Sequence, residues 1–190
     1  EWRNPSAHDY KLDFDESEAF LAIFSVSVFA CLLLDQISEK LAFDKSNTQA
    51  KALQKVDAKV ARQTATLKDQ VVSALKDFCE QYIEKNDIVR FSESQIIGSL
   101  HGFLVALIPD VNIQVDVPVG NKGYQNLDLL ATRGKEILPI EVKRSFRSDR
   151  SSLSIAQIAN YATIAGANNC VLVYCPFDKR EMTLDLVVTD

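Results

Sequence analysis

The stretch YQNLDLLATRGKEILPIEVKRS, residues Tyr124–Ser145, decides how this chain is read. Its halves, Tyr124–Arg133 and Glu136–Ser145, are apolar runs of strand length, and Gly134-Lys135 between them is a turn signal. A hairpin that turns between Gly134 and Lys135 pairs residues equidistant from that point. Asp128 then faces Glu141 at roughly 5 Å between Cα atoms. Side chains alternate along a strand, so Lys143 shares the face of Glu141 while Val142 points the other way. Two acids and a lysine are expected on one small surface.

Like charges directly across a strand pair repel, and at close range one carboxylate is pushed toward its protonated form unless a cation lies between them. A hard divalent ion meets that need, because Mg²⁺ takes oxygen ligands from one or two carboxylates with water and substrate phosphate. A neighbouring lysine can hold the attacking water or neutralise charge developing on a phosphate. The chemistry implied is metal-assisted phosphodiester hydrolysis. The same three residues also fit a plain structural ion pair on the polar face of a strand, and the residues alone leave both readings open.

The flanks supply an order of elements. Upstream, Phe91–Ile108 reads as a helix with Ser92 as N-cap, Glu93 in its first turn and Pro109 as its stop, and Val111–Val119 alternates as a strand. Downstream, Arg144, Arg147 and Arg150 punctuate a serine-rich stretch. A helical pattern follows from about Leu153 to Ala165, with Ser151 or Ser152 as its cap and with Gln157 and Tyr161 four apart on one face. After the Asn168-Asn169 turn, CVLVYCP reads as a buried strand, completing a strand, crossover helix and parallel strand. The expected α/β core is helix, three strands, helix, strand.

This order and these residues resemble the PD-(D/E)xK nuclease superfamily, the restriction-endonuclease-like fold. The matching residues are Asp128 in NLDLL and Glu141-Val142-Lys143 in PIEVKR, while Gln157 and Tyr161 in QIANY match the Gln-x-x-x-Tyr element of the RecB-like and lambda-exonuclease-like branches. The resemblance covers Phe91–Asp190. It lacks the proline before the first acid, where Leu127 stands. It implies a Mg²⁺ or Mn²⁺ ion held by Asp128, Glu141, the Val142 carbonyl and, from the early helix, Glu93. Lys143 would position water and Gln157 would orient substrate or a metal-bound water. For Gln157 an amide capping a helix or a strand edge is the competing role, and for Glu93 it is a helix N-terminal acid favoured by the dipole. Nucleic acid, DNA rather than RNA, is the expected partner, contacted by Arg144, Arg147, Arg150 and Tyr161; for Tyr161 a core position is the competing role.

With 190 residues, 47% of them hydrophobic, the chain has room for one domain and an extension. A formal net charge of −5 argues against broad nonspecific nucleic-acid affinity. Locally the balance reverses, for six basic residues and three acids lie between Arg133 and Arg150. A basic rim beside an acidic pocket suits a phosphodiester backbone, and a solvated charged loop would carry the same residues.

Residues 1–88 are of a different kind. After an acidic flank, the run AFLAIFSVSVFACLLL, Ala19–Leu34, is apolar but for Ser25 and Ser27. As a helix it is about 24 Å long, short of a ~30 Å hydrocarbon core. A helix buried in an oligomer or packed on the following domain is the expectation, in a cytoplasmic protein; a short membrane anchor is the alternative. The acidic flank does not fit a secretory signal peptide. From Ser46 to about Lys85 the chain reads as one long helix with Leu53, Val60, Leu67 and Ala74 at heptad spacing and Val56, Val71, Leu75, Phe78 and Tyr82 beside them. Such a stripe predicts a coiled coil and self-association, or docking on the domain at 89–190.

Cys31, Cys79, Cys170 and Cys175 are expected as buried free thiols, and their spacing fits neither an iron–sulfur cluster nor a zinc site. His101 is expected as a satisfied residue of an apolar helix. No phosphate loop or nucleophile elbow is present. The absence of an initial Met suggests a processed chain or a fragment. Two functions fit the sequence: a metal-dependent deoxyribonuclease, and a non-catalytic nuclease-like scaffold whose business lies in its N-terminal helices.

Overall fold

The computed structural model describes residues 15–53, 65–120, 125–144, 151–175 and 184–185. The protein is mixed α/β. Helix α1 (Glu16–Leu53) is followed by α2 (Leu67–Asp77), a π-helical segment (Phe78–Ile83), a 3-10 turn (Ile88–Arg90) and α3 (Glu93–Leu107). Strands β1 (Asn112–Val119), β2 (Gln125–Arg133) and β3 (Glu136–Lys143) come next, then α4 (Ser151–Ala165), β4 (Val171–Tyr174) and the two-residue β5 (Leu184–Asp185). From α3 onward the order is the expected helix, three strands, helix, strand.

The sheet runs β1-β2-β3-β4-β5. Strands β1 to β3 form an antiparallel meander, β4 joins β3 in parallel through the α4 crossover, and β5 pairs antiparallel with β4. The β2–β3 register runs from Arg133↔Glu136 to Leu129↔Ile140, every pair equidistant from the Gly134-Lys135 turn. Gly134 makes that turn at φ 59°, a conformation that a side chain disfavours.

Both faces of the sheet are covered. Leu129, Ala131, Leu138, Ile140, Val142, Val171 and Val173 form one core with residues of α2, the π-helical segment and α3. Leu127, Cys170 and Leu172 form a second with Ile158, Tyr161 and Ala162 of α4. Burial on both faces explains why β3 reads as a nearly unbroken apolar run rather than an alternating one. Helix α3 begins with a capping box, Ser92 N donating to Gln95 Oε1 at 2.8 Å and Gln95 N to Ser92 Oγ at 3.2 Å. This fixes Glu93 as the first residue of the helix.

The helix expected over 46–85 is interrupted at Thr66, whose backbone is extended, while Val56 and Val60 of the expected stripe lie outside the described residues. Helix α1 ends at Leu53 and α2 starts afresh behind its N-cap Thr66. Leu67, Val71, Ala74, Leu75, Phe78 and Tyr82 are buried in the core of the domain itself, so this stripe packs inward rather than forming a coiled coil between copies. Contacts divide the chain at Ile37/Ser38. Residues 38–53 of α1 lie against α3, where Gly98 and Gly102 allow two backbones to approach. A Cβ on Gly98 would overlap the Glu39 carbonyl, and one on Gly102 the Phe43 carbonyl and Ser46 Oγ. Asn47 Nδ2 donates to the Gly102 carbonyl at 3.0 Å across the same seam, and the His101 ring lies 4.7 Å from that of Phe43.

Residues 16–37 of α1 form the other unit. Phe20, Leu21, Ile23, Phe24, Val26, Phe29, Leu32 and Leu34 are all exposed on the single chain. Cys31 is exposed with them, whereas Cys170 and Cys175 are buried and Cys79 is partly so.

Candidate active site

The β2–β3 ladder gives out where its first acid stands. Beyond Leu129↔Ile140 the next partners in register are Asp128 and Glu141, and there Asp128 Oδ2 itself accepts the Val142 N–H at 2.7 Å. To do so the Asp128 side chain must lie in the plane of the sheet. A feature of β1 accounts for this. Asp116, opposite Asp128 in the β1–β2 register, has φ 54°, a left-handed conformation that Asp tolerates better than most residues. Its carboxylate accepts from Asn126 Nδ2 at 2.6 Å. On either side of that point the strands turn over: Val115 and Leu129 pack in one core, Val117 and Leu127 in the other. Asp128 sits at the turning point. Strand periodicity alone does not reveal this, although an aspartate in a strand is itself a weak sign of irregular backbone.

Glu141 is 2% exposed, an unusual depth for a carboxylate. Its Oε1 meets Lys143 Nζ at 2.6 Å and Gln157 Nε2 at 3.4 Å, while its Oε2 is buried without a hydrogen-bond partner. Gln157 is itself held by α4, its Nε2 donating to Tyr161 Oη at 2.7 Å. Lys143 thus shares the face of Glu141 as alternation requires, and the Gln157-Tyr161 pair comes down on it from the crossover helix.

The electrostatics follow from this burial. Desolvation first, then the Glu141 charge, raises the Asp128 carboxyl to about 6; the Val142 N–H and the Lys143 ammonium oppose the rise, and Glu93 adds to it. Burial by itself would lower the Lys143 ammonium, but hydrogen bonding to Glu141 and the charges of Glu141, Asp128 and Glu93 outweigh it, and its pKa is raised. Glu93 acts on Asp128 and Lys143 alike, so the first turn of α3 belongs to the same electrostatic neighbourhood.

Several rim assignments change. Arg144 is 6% exposed, and its Nη2 donates to the Val89 carbonyl at 2.8 Å, so its guanidinium is turned into the domain and not toward a ligand. Tyr161 is 2% exposed and hydrogen-bonded to Gln157, the core position that was the competing role for it. Arg147 and Arg150 lie outside the described residues.

Among the described residues, no three His, Cys, Asp or Glu side chains form a ready cage for a metal. The chemistry of the acids present is nonetheless that of a hard-ion ligand set. The buried, donorless Glu141 Oε2 calls for a cation, and Asp128 in register beside it is destabilised as an anion. The backbone offers a third oxygen. Lys143 O accepts from Cys175 N on the β4 side at 2.8 Å, so by strand alternation the Val142 carbonyl points to the β2 side, where the ladder has ended and Asp128 stands. At the far end of β3, a cavity of about 300 Å³ lined by Lys68, Lys135, Glu136 and Asn168 has no comparable orphan, for Glu136 is already bonded to Arg133 and to the Leu67 N–H. Compared with known proteins, the chain matches no family model, no curated protein and no solved structure.

Proposed function

We propose that this protein is a Mg²⁺- or Mn²⁺-dependent nuclease of the PD-(D/E)xK, restriction-endonuclease-like kind, hydrolysing phosphodiester bonds, with DNA as the substrate. The observation that carries the reading is Glu141: a buried carboxylate with one oxygen on a lysine and a glutamine and the other without any donor. A purely structural ion pair would have its remaining lone pairs satisfied, because an unmatched buried oxygen is destabilising.

Asp128, Glu141 and the Val142 carbonyl would hold the ion, with Glu93 close enough to bear on its charge or on its water ligands. When bound, the ion supplies charge neutralisation at the phosphate and a more acidic water. The remaining work falls to the chain. Lys143, held ionised by its three acidic neighbours, places a fixed positive charge beside the scissile phosphate and orients the attacking water. Gln157, braced by the Tyr161 hydroxyl, offers its amide to that water or to a phosphate oxygen. Burial of Glu141 keeps bulk water from screening these charges.

The test is cleavage of circular and linear DNA by purified protein with Mg²⁺, Mn²⁺ or EDTA, with Lys143→Ala alongside. Cleavage that needs metal and is lost in the variant is the expected result, and nicked circles against shortened ends give its mode. Absence of cleavage of DNA and RNA under either metal by folded protein would sink the reading in favour of a non-catalytic scaffold. In that case the 2.6 Å Lys143–Glu141 pair would be a structural ion pair.

A further inference from the structure

We infer that residues Ala19–Leu34 of α1 cross a lipid bilayer as a single span. The inference stands independently of the nuclease reading. An 18-residue window of α1 has a mean hydropathy of 2.1 with none of its residues buried. What decides the occupant is how the apolar side chains are distributed. At 100° per residue, Phe20, Leu21, Ile23, Val26, Phe29, Leu32 and Leu33 point in every direction around the axis, and each is at least 44% exposed. A second copy of the chain would cover one stripe of such a helix and leave the rest in water. An amphipathic helix lying on a membrane surface would need a charged face, and from Ala19 to Leu34 there is no charged residue on any side. Only a solvent that is apolar all round matches this pattern.

The polar groups of the run are consistent with such surroundings. Ser27 Oγ donates back to the Ile23 carbonyl at 2.8 Å, so this hydroxyl carries its own partner into hydrocarbon. Charges bracket the run closely, Glu16 and Glu18 before it and Asp35 after it. The sixteen uncharged residues between Glu18 and Asp35 measure about 24 Å as a helix against a hydrocarbon thickness of ~30 Å. A span this short has no length to spare for tilt and is accommodated by local thinning of the bilayer.

The test uses the full chain mixed with vesicles of phosphatidylcholine and phosphatidylglycerol, and reads flotation after an alkaline carbonate wash. Cys31, the one exposed thiol of the four, is a native reporter inside the run. The expected results are carbonate-resistant flotation and protection of Cys31 from a membrane-impermeant maleimide, reversed when the chain is denatured in detergent. Val26→Arg with Phe29→Arg should lower flotation about a hundredfold, since each charge sits near the middle of the run. Both positions are exposed, so circular dichroism of the variant should be unchanged. Folded protein left in the dense fraction, including an oligomer cross-linked through Cys31 without lipid, would overturn the inference. So would flotation with Cys31 labelled as fast as in free solution, which would place the helix on the surface.

Discussion

The two ends of the β2–β3 hairpin use the same kinds of residue to opposite effect. At the turn end, Glu136 Oε1 accepts from Leu67 N at 3.1 Å, and Oε2 meets Arg133 Nη2 at 2.7 Å and Nε at 3.1 Å. Its carboxyl is held below the usual range, first by the Arg133 hydrogen bonds and then by the Leu67 N–H. Five residues along the same strands, Asp128 is pushed up to about 6 and Glu141 Oε2 has no donor. One end is satisfied and holds α2 to the hairpin; the other is frustrated. An ion pair therefore says little about function by itself. What separates the two is whether the acid's oxygens are accounted for by the protein.

The largest expected break in this contrast is in catalysis. Glu141→Ala and Lys143→Ala should each lower cleavage by at least about 10²- to 10³-fold, the scale on which a charge-stabilising group acts in a closed site. Single-turnover assays at saturating metal read this directly. Glu141→Ala should also abolish the rise in Tm on adding Mg²⁺.

Asp128→Asn sharpens the contrast through stability. The folded chain holds the Asp128 proton up to about pH 6, whereas an unstrained carboxyl loses it near 3.8, so between those values the folded state binds more protons than the unfolded. The Asp128 contribution to the stability of the metal-free protein should therefore be greatest below that window, fall as pH rises through it and level off above. The loss is on the order of 3 kcal/mol. In Asp128→Asn the amide oxygen can still take the Val142 N–H, and the pH-dependent loss should vanish, giving a metal-free variant that melts higher at pH 7 and no longer cleaves. A Tm-against-pH series for both proteins checks the sign. Equal slopes through the window would mean that Asp128 is not the group responsible.

Smaller effects follow in turn. Gln157→Ala removes one neutral donor and should cost cleavage about tenfold, while Tyr161→Phe, which frees the Gln157 amide without removing it, should cost less. Glu136→Ala at the satisfied end should lower Tm slightly and leave cleavage per folded molecule unchanged. A fall in activity there comparable to that of Gln157→Ala would erase the distinction between the two ends.

How much of this was legible depends on the distance over which each signal acts. The register came from a local feature, the Gly134-Lys135 turn, and alternation then carried Glu141 and Lys143 to one face. Ser92 as the cap of α3 was local as well. The sheet-plane orientation of Asp128 was not legible, because it depends on the backbone of Asp116 on another strand. Nor was the fate of Arg144: an arginine beside an acidic motif reads as a rim residue, and only the path of residues 88–90 supplies the Val89 carbonyl that takes it inward. The heptad stripe left two readings open because a helix that docks on its own domain, as Leu67–Tyr82 does, and one that docks on a copy of itself need the same apolar spacing. The use of Gly98 and Gly102 appears only once α1 is laid against them.

The turn at Gly134-Lys135 sits roughly 20 Å from Asp128 along strands that rise about 3.3 Å per residue. It touches nothing in the site, yet it sets the phase of everything there. One extra residue in that turn, taken up by a slip of β3, would bring Ile140 to the place of Glu141 and turn both Glu141 and Lys143 to the opposite side. Over evolutionary time this turn is free to drift in spelling, its glycine aside, but not in length. On the proposed function, an insertion there would be a lesion of the chemistry, delivered from the surface without altering a single one of the residues proposed to perform it.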